Sequence, residues 1–190
     1  MSYIDHNQKI IFIHNPKCAG NSLRRYLGFN NKETYHNIPS EIDAKVWEQY
    51  TTITSIRHPI YRLISSWKYH TNPEYRGFYS ERVYNFHQLN IELYFYYFKH
   101  TKTILPNIKY TQHNKSNKSI DIILEFEKLH DTTYLKEKLK HIQTSDVLPN
   151  INKTIYRPQE HIETIKNNNK LLADIIKFYQ EDFETFNYEI

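Results

Sequence analysis

The run Ile10-Ile11-Phe12-Ile13 passes into Asn15-Pro16-Lys17-Cys18-Ala19-Gly20-Asn21-Ser22, and this loop opens onto the helical stretch Leu23-Arg24-Arg25-Tyr26-Leu27. A short, unbroken, β-branched apolar run is the pattern of a strand covered on both faces, as in a parallel sheet. A strand that ends in a Lys/Gly/Ser loop before a helix start suits a phosphate. The first N–H groups of a helix have no intrahelical acceptor, and the macrodipole favours negative charge there. Lys17 adds a cation, Gly20 lets the backbone come close, and Ser22 offers a hydroxyl. Residue order narrows the class. A Walker loop reads G-x-x-x-x-G-K-[ST], whereas Lys17 precedes the loop's glycine. The loop is a phosphate loop of a kind other than the usual nucleoside-triphosphatase one.

The rest of the chain reads as an α/β alternation. Thr51-Thr52-Ile53-Thr54-Ser55-Ile56 is a second, β-prone strand. Pro39-Ser40-Glu41 starts a helix that runs to about Tyr50, with Ser40 as N-cap, so a parallel crossover joins the two strands. After Arg57-His58, Pro59 is placed as a first helical residue, and Ile60, Leu63, Ile64 and Trp67 form an apolar stripe. Residues 72–82 read as a surface loop or lid, and Phe86, Leu89, Leu93 and Tyr97 as the stripe of another helix. Ile120 to Leu124 is a third strand, Thr132 to Ile142 a helix and Leu148 to Tyr156 a loop. Glu160 to Phe183 is helical, with a break at Asn167-Asn168-Asn169. The expectation is a single α/β domain over residues 1–190, with a central, mostly parallel sheet flanked by helices. Residues 70–118 would form an acceptor-side insertion.

Composition excludes several classes. Apolar residues make up 39% of the 190, enough for a packed core. A net charge of +4, with lysines spread along the chain, argues against a nucleic-acid surface. Cys18 is the only cysteine, so an intrachain disulfide and a Cys-based zinc site are both out. It is read as a small loop-filling side chain rather than a reactive thiol. The histidines lack HExxH or other zinc spacing, so no metal site is expected. The longest apolar-looking segment, Leu93 to Phe98, is far short of a membrane span, and no signal-peptide pattern opens the chain. The expected location is cytoplasmic.

A second anion site follows from Arg57. It stands at the carboxyl end of a strand, where open α/β sheets place ligands, and Ser65 lies two turns into the next helix. A guanidinium grips phosphate bidentately, and charge-assisted bonds of this kind contribute about 1.5–3 kcal/mol each. In a P-loop triphosphatase an Asp at the corresponding strand end often holds magnesium, which an Arg repels. Two anion sites without a metal site fit a nucleotide with phosphates at both its 5′ and 3′ positions.

These motifs resemble the carbohydrate-type sulfotransferases that use 3′-phosphoadenosine-5′-phosphosulfate. Pro16, Lys17, Gly20, Asn21 and Ser22 match that family's first signature. Ile56, Arg57, Pro59, Arg62 and Ser65 match the second, with Trp67 or Tyr69 standing one place from its aromatic position. The likeness continues through Tyr35 to Ile42, Leu124 to Leu129, Leu148 to Thr154 and Tyr179 to Tyr188, nearly the whole chain in order. Glu125 and Asn187 depart from it, standing where Arg and Gly are usual, with Arg157 and Lys153 as candidate replacements for the missing charge.

The resemblance implies a P-loop-like sulfotransferase fold, with the 5′-phosphosulfate over Pro16, Lys17, Cys18, Ala19, Gly20, Asn21 and Ser22. It places the 3′-phosphate against Arg57 and Ser65, and a closing loop at Asn152-Lys153-Thr154. It makes Lys17 the cation at the leaving oxygen and His36 the general base. The implied acceptor is a hydroxyl on a small molecule or an oligosaccharide. From the residues alone, two other readings stand beside this one: a nucleotide kinase or other phosphotransferase, and a non-catalytic nucleotide- or sugar-binding module.

Overall fold

In the computed structural model, which describes residues 2–29, 38–72, 88–149 and 158–190, the apolar run Ile10–Ile13 is a fully buried strand, β2. It pairs antiparallel with β1 (Ser2–Asp5) and parallel with β3 (Thr51–Ile56). The order is completed by β4 (Ile122–Glu125), parallel to β3. The sheet is therefore mostly parallel, as expected, with one antiparallel edge strand that the sequence reading did not pick out. That hairpin is turned by Asp5, whose carboxylate accepts from the N–H groups of Asn7 (2.8 Å) and Gln8 (2.9 Å).

The described residues fall into two compact units, Met1–Arg57 with Asn107–Thr154 and His58–Pro106 with Ile155–Ile190. The first holds the sheet. Tyr3, Ile10, Phe12, Ile53 and Leu124 form a core with Leu23 and Tyr26 of α1 (Gly20–Tyr26) and Leu135 of α5 (Thr132–Lys138). Helix α2 (Ala44–Gln49) starts later than expected. Asp43, not Ser40, is its cap, accepting from Lys45 and Val46 N–H at 2.9 and 3.1 Å, and Pro39–Glu41 forms only a 3₁₀ turn. β4 likewise begins at Ile122 rather than Ile120. The Asp121 carboxylate takes the N–H and hydroxyl of Thr52, at 2.7 and 2.8 Å, while the Asp121 N–H donates to the Thr52 carbonyl at 3.1 Å, so the join to β3 at this position is carried partly by a side chain. Helix α5 ends at Lys138, short of the expected Ile142, which packs on the same core from a turn.

The second unit contains α3 (Pro59–Thr71), α4 (Ile91–Phe98), α6 (Pro158–Lys166), α7 (Asn169–Phe178) and α8 (Gln180–Phe186). Ile60, Leu63 and Ile64 of α3 are buried as the stripe predicts, and Trp67 packs against them while its indole N–H donates to the Leu89 carbonyl at 2.7 Å. Helix α4 is present but turned. Ile91, Tyr94 and Phe95 face the core, whereas Leu93 and Tyr97, the expected stripe, are 46% and 67% exposed. With seven of eight residues apolar, this helix carries no periodic signal, and its buried neighbours alone decide the face. Asn168 caps α7 at the predicted break, accepting from Leu171 N–H at 3.0 Å. Asn187 adopts φ 52°, the left-handed turn for which glycine is usual. Arg62 is fully buried and structural, donating to the Leu105 carbonyl and lying 5.8 Å from the Tyr179 ring.

One contact fixes how β2 passes into α1. A Cβ on Gly20 would meet the His14 ring at 2.0–2.5 Å. His14 is itself held among Tyr3 and Phe12, each 6.4 Å away between ring centroids, and cannot swing aside cheaply. Gly20 has ordinary helical backbone, so space rather than φ requires the glycine. The close approach it permits here is that of His14. An alanine in an open helix would gain about 0.8–1.0 kcal/mol over glycine. Gly20→Ala is expected instead to cost about 1–3 kcal/mol through overpacking, read as a lower urea midpoint; a raised midpoint would contradict the contact.

Candidate functional site at the strand ends

Within the first unit, the carboxyl ends of β2, β3 and β4 bring together the loop Asn15–Ala19, Arg57 and the Glu125-Phe126 pair. The loop is bound to β3 by its own backbone. Ser55 Oγ donates to the Cys18 carbonyl at 2.6 Å, and Arg57 Nη1 donates to the Lys17 carbonyl at 3.2 Å. From the other side, Asn15 Nδ2 donates to the Ser55 carbonyl at 3.1 Å. These bonds turn two successive loop carbonyls toward β3. Because a trans peptide sets its N–H opposite its C=O, the Ala19 N–H points the other way. The first α-helical bond of α1 runs from Leu23 N–H to the Ala19 carbonyl at 3.0 Å, so Gly20, Asn21 and Ser22 present their N–H groups in the leading turn.

The loop adopts this shape at a cost. Lys17 and Ala19 have φ of 66° and 62°, left-handed values that an L side chain disfavours by about 1–2 kcal/mol. Cys18 between them is fully buried, its thiol 3.6 Å from the Pro16 carbonyl, as suits a side chain that fills the loop. Ser22 is buried on α1, while Pro16, Ala19 and Asn21 are half-buried.

The two cations are close enough to feel each other. Burial, and then the positive charge of Arg57, push the Lys17 ammonium down to about 8 from its usual 10.5. Arg57 lies over a ring, its guanidinium carbon 4.0 Å from the Phe126 centroid. Glu125, the residue that departs from the resemblance, pairs with Lys128 at 2.9 Å. That pairing offsets the negative charge it would otherwise bring to the strand end.

The structure thus brings Pro16 to Ser22 together with Arg57. Ser65 lies in the second unit, on the buried side of α3. His36 and Lys153 lie outside the described residues, as does Arg157. Sequence reasoning missed Ser55 and Asn107 as parts of the site. Asn107 is fully buried, accepts from Asn15 Nδ2 at 2.7 Å and donates to the Arg57 carbonyl at 2.9 Å. Nothing in its local sequence signals this, because both bonds join residues fifty or more positions apart. Among the described residues, no group of His, Cys, Asp or Glu side chains could hold a metal ion, and no helix is long and apolar enough to cross a membrane.

The model of a family described as the sulfotransferase family matches residues 1–189. No curated protein and no solved structure matches the chain. A match over nearly every residue, on a mostly parallel sheet flanked by helices, is decisive: the chain belongs to the sulfotransferase family.

Proposed function

We propose that this protein transfers a sulfuryl group from 3′-phosphoadenosine-5′-phosphosulfate to a hydroxyl, on a carbohydrate acceptor. The observation that carries the reading is the pairing of Lys17 and Arg57 at adjacent strand ends, linked through the Lys17 carbonyl. Burial first, and then the opposing charge of Arg57, lower the Lys17 ammonium to about 8. An anionic ligand reverses that cost, so the pair is suited to a molecule with more than one negative group.

The residues divide the work by chemistry. Lys17 and the N–H groups from Ala19 to Ser22 would hold the 5′ group, and Lys17 would take up negative charge on the phosphate oxygen as the sulfuryl group leaves. Arg57, over the Phe126 ring, would grip the 3′-phosphate, with Ser65 as its hydroxyl partner. The co-substrate supplies an activated sulfuryl group for in-line attack. His36 would accept the proton of the attacking hydroxyl, a contribution of about 10²–10⁴-fold. Lys153, by resemblance, would belong to the loop that closes over the nucleotide. Residues 70–118 would choose the acceptor, and their Tyr, Arg, His and Asn content suits sugar hydroxyls. The transferred group carries less charge than a phosphoryl group, so the lack of an obvious magnesium carboxylate is no obstacle to this reaction.

Isothermal calorimetry with adenosine 3′,5′-bisphosphate tests the binding site. Lys17→Ala and Arg57→Ala are each expected to weaken affinity by about tenfold to a hundredfold. Wild-type affinity is expected to fall above pH 8, approaching tenfold per pH unit, because neutral Lys17 must first take up a proton. Lys17→Arg, which stays charged, should flatten that profile. Unchanged affinity in both alanine variants overturns the reading.

His36→Ala separates chemistry from binding. Nucleotide affinity should stay near wild type while sulfuryl transfer falls by about 10²-fold or more. Retained turnover removes His36 as the base.

A further inference from the structure

Asn107 stands outside every motif that the sequence supplies, yet its side chain bridges the root of the loop and the strand end, beside the direct bonds of Ser55, Arg57 and Asn15. Its Oδ1 accepts from Asn15 Nδ2 at 2.7 Å, at the root of the loop that carries Lys17. Its Nδ2 donates at 2.9 Å to the main-chain carbonyl of Arg57. The Cys18 thiol lies 4.0 Å from the same Oδ1. Asn107 is fully buried, as is Asn15, so no competing water lies on its surface. A buried amide with both ends engaged is stiff, because breaking either bond leaves a polar group desolvated. Arg57 is consequently gripped twice: its carbonyl by Asn107, and its guanidinium by the Lys17 carbonyl.

We infer that Asn107 is a positioning residue that sets the separation between the 5′ and 3′ anion subsites. The inference rests on the functional reading above, in which the loop takes the 5′ group and Arg57 the 3′-phosphate. Asn107 touches neither group. It acts by holding the two elements that do in one register, so that both phosphates are met at once. A ligand with one phosphate has no second distance to satisfy and is largely indifferent to that register. The residue begins a 3₁₀ turn, Asn107–Tyr110, within the stretch otherwise assigned to the acceptor side, and so belongs with the nucleotide site instead.

The test is the ratio of two affinities, measured by calorimetry in wild type and in Asn107→Leu, a near-isosteric change that removes both bonds. Adenosine 3′,5′-bisphosphate is compared with adenosine 5′-monophosphate. In the variant, bisphosphate affinity should fall about tenfold or more, with monophosphate affinity changing less than about threefold. The wild-type preference for the bisphosphate would then shrink. Equal losses for both ligands, or no loss, overturn the inference, since a merely structural role weakens them alike. If N107L does not fold, Asn107→Ala is read by the same ratio. A wild-type protein with no preference for the bisphosphate brings down the functional reading itself, and this inference with it. A normal wild-type preference with an unchanged ratio in the variant brings down the inference alone.

Discussion

The site depends on one set of bonds, those that tie the loop after β2 to the carboxyl end of β3. Ser55 and Arg57 bind the carbonyls of Cys18 and Lys17, and Asn15 binds back to Ser55. Every later feature follows from this stitching. It turns the loop carbonyls inward, requires left-handed backbone at Lys17 and Ala19, and brings the Lys17 and Arg57 charges together. Strained non-glycine backbone persists only where its surroundings over-determine it. Here the over-determination comes from a strand that is buried along its length and cannot shift, with Thr52, Ile53, Thr54, Ser55 and Ile56 all enclosed.

Charge gives the stitched loop its chemical direction. A lysine beside an arginine in a half-buried pocket is poorly solvated and repelled, which lowers its hold on a proton. The same two features make it a strong partner for an anion, because the anion relieves the repulsion and replaces lost water. Phe126 adds a flat support for Arg57, and Lys128 draws off the charge of Glu125. The positive end of the sheet is thus a property of several elements rather than of one basic run, consistent with a net charge of only +4.

Much of this was legible in the residue order because the informative signals are local. The run Ile10–Ile13, the Lys-before-Gly loop and Pro59 after Arg57 each specify strand, loop or helix within a few residues, and all three formed as read. Most of the failures share a physical cause: they turn on what lies across the fold. Leu93 and Tyr97 make as good a stripe as Tyr94 and Phe95 until the neighbours of α4 are known. Asp43 displaces Ser40 as cap because Pro39–Glu41 closes into a separate 3₁₀ turn first. Asn107 is invisible along the chain, since its partners are Asn15 and Arg57. The steric need for Gly20 is equally invisible, because the His14 ring fills the space a Cβ would take.

The proposed site takes two separated anions rather than a triphosphate with its metal. Thermal unfolding measures this directly, because at equal concentration the ligand that binds the folded state more tightly raises the midpoint more, as the logarithm of concentration over Kd. Adenosine 3′,5′-bisphosphate and magnesium-ATP are compared at equal concentration on the intact protein. The bisphosphate is predicted to give the larger rise, undiminished by a chelator. A larger rise with magnesium-ATP, lost on chelation, would contradict the account and place the loop with the phosphotransferases.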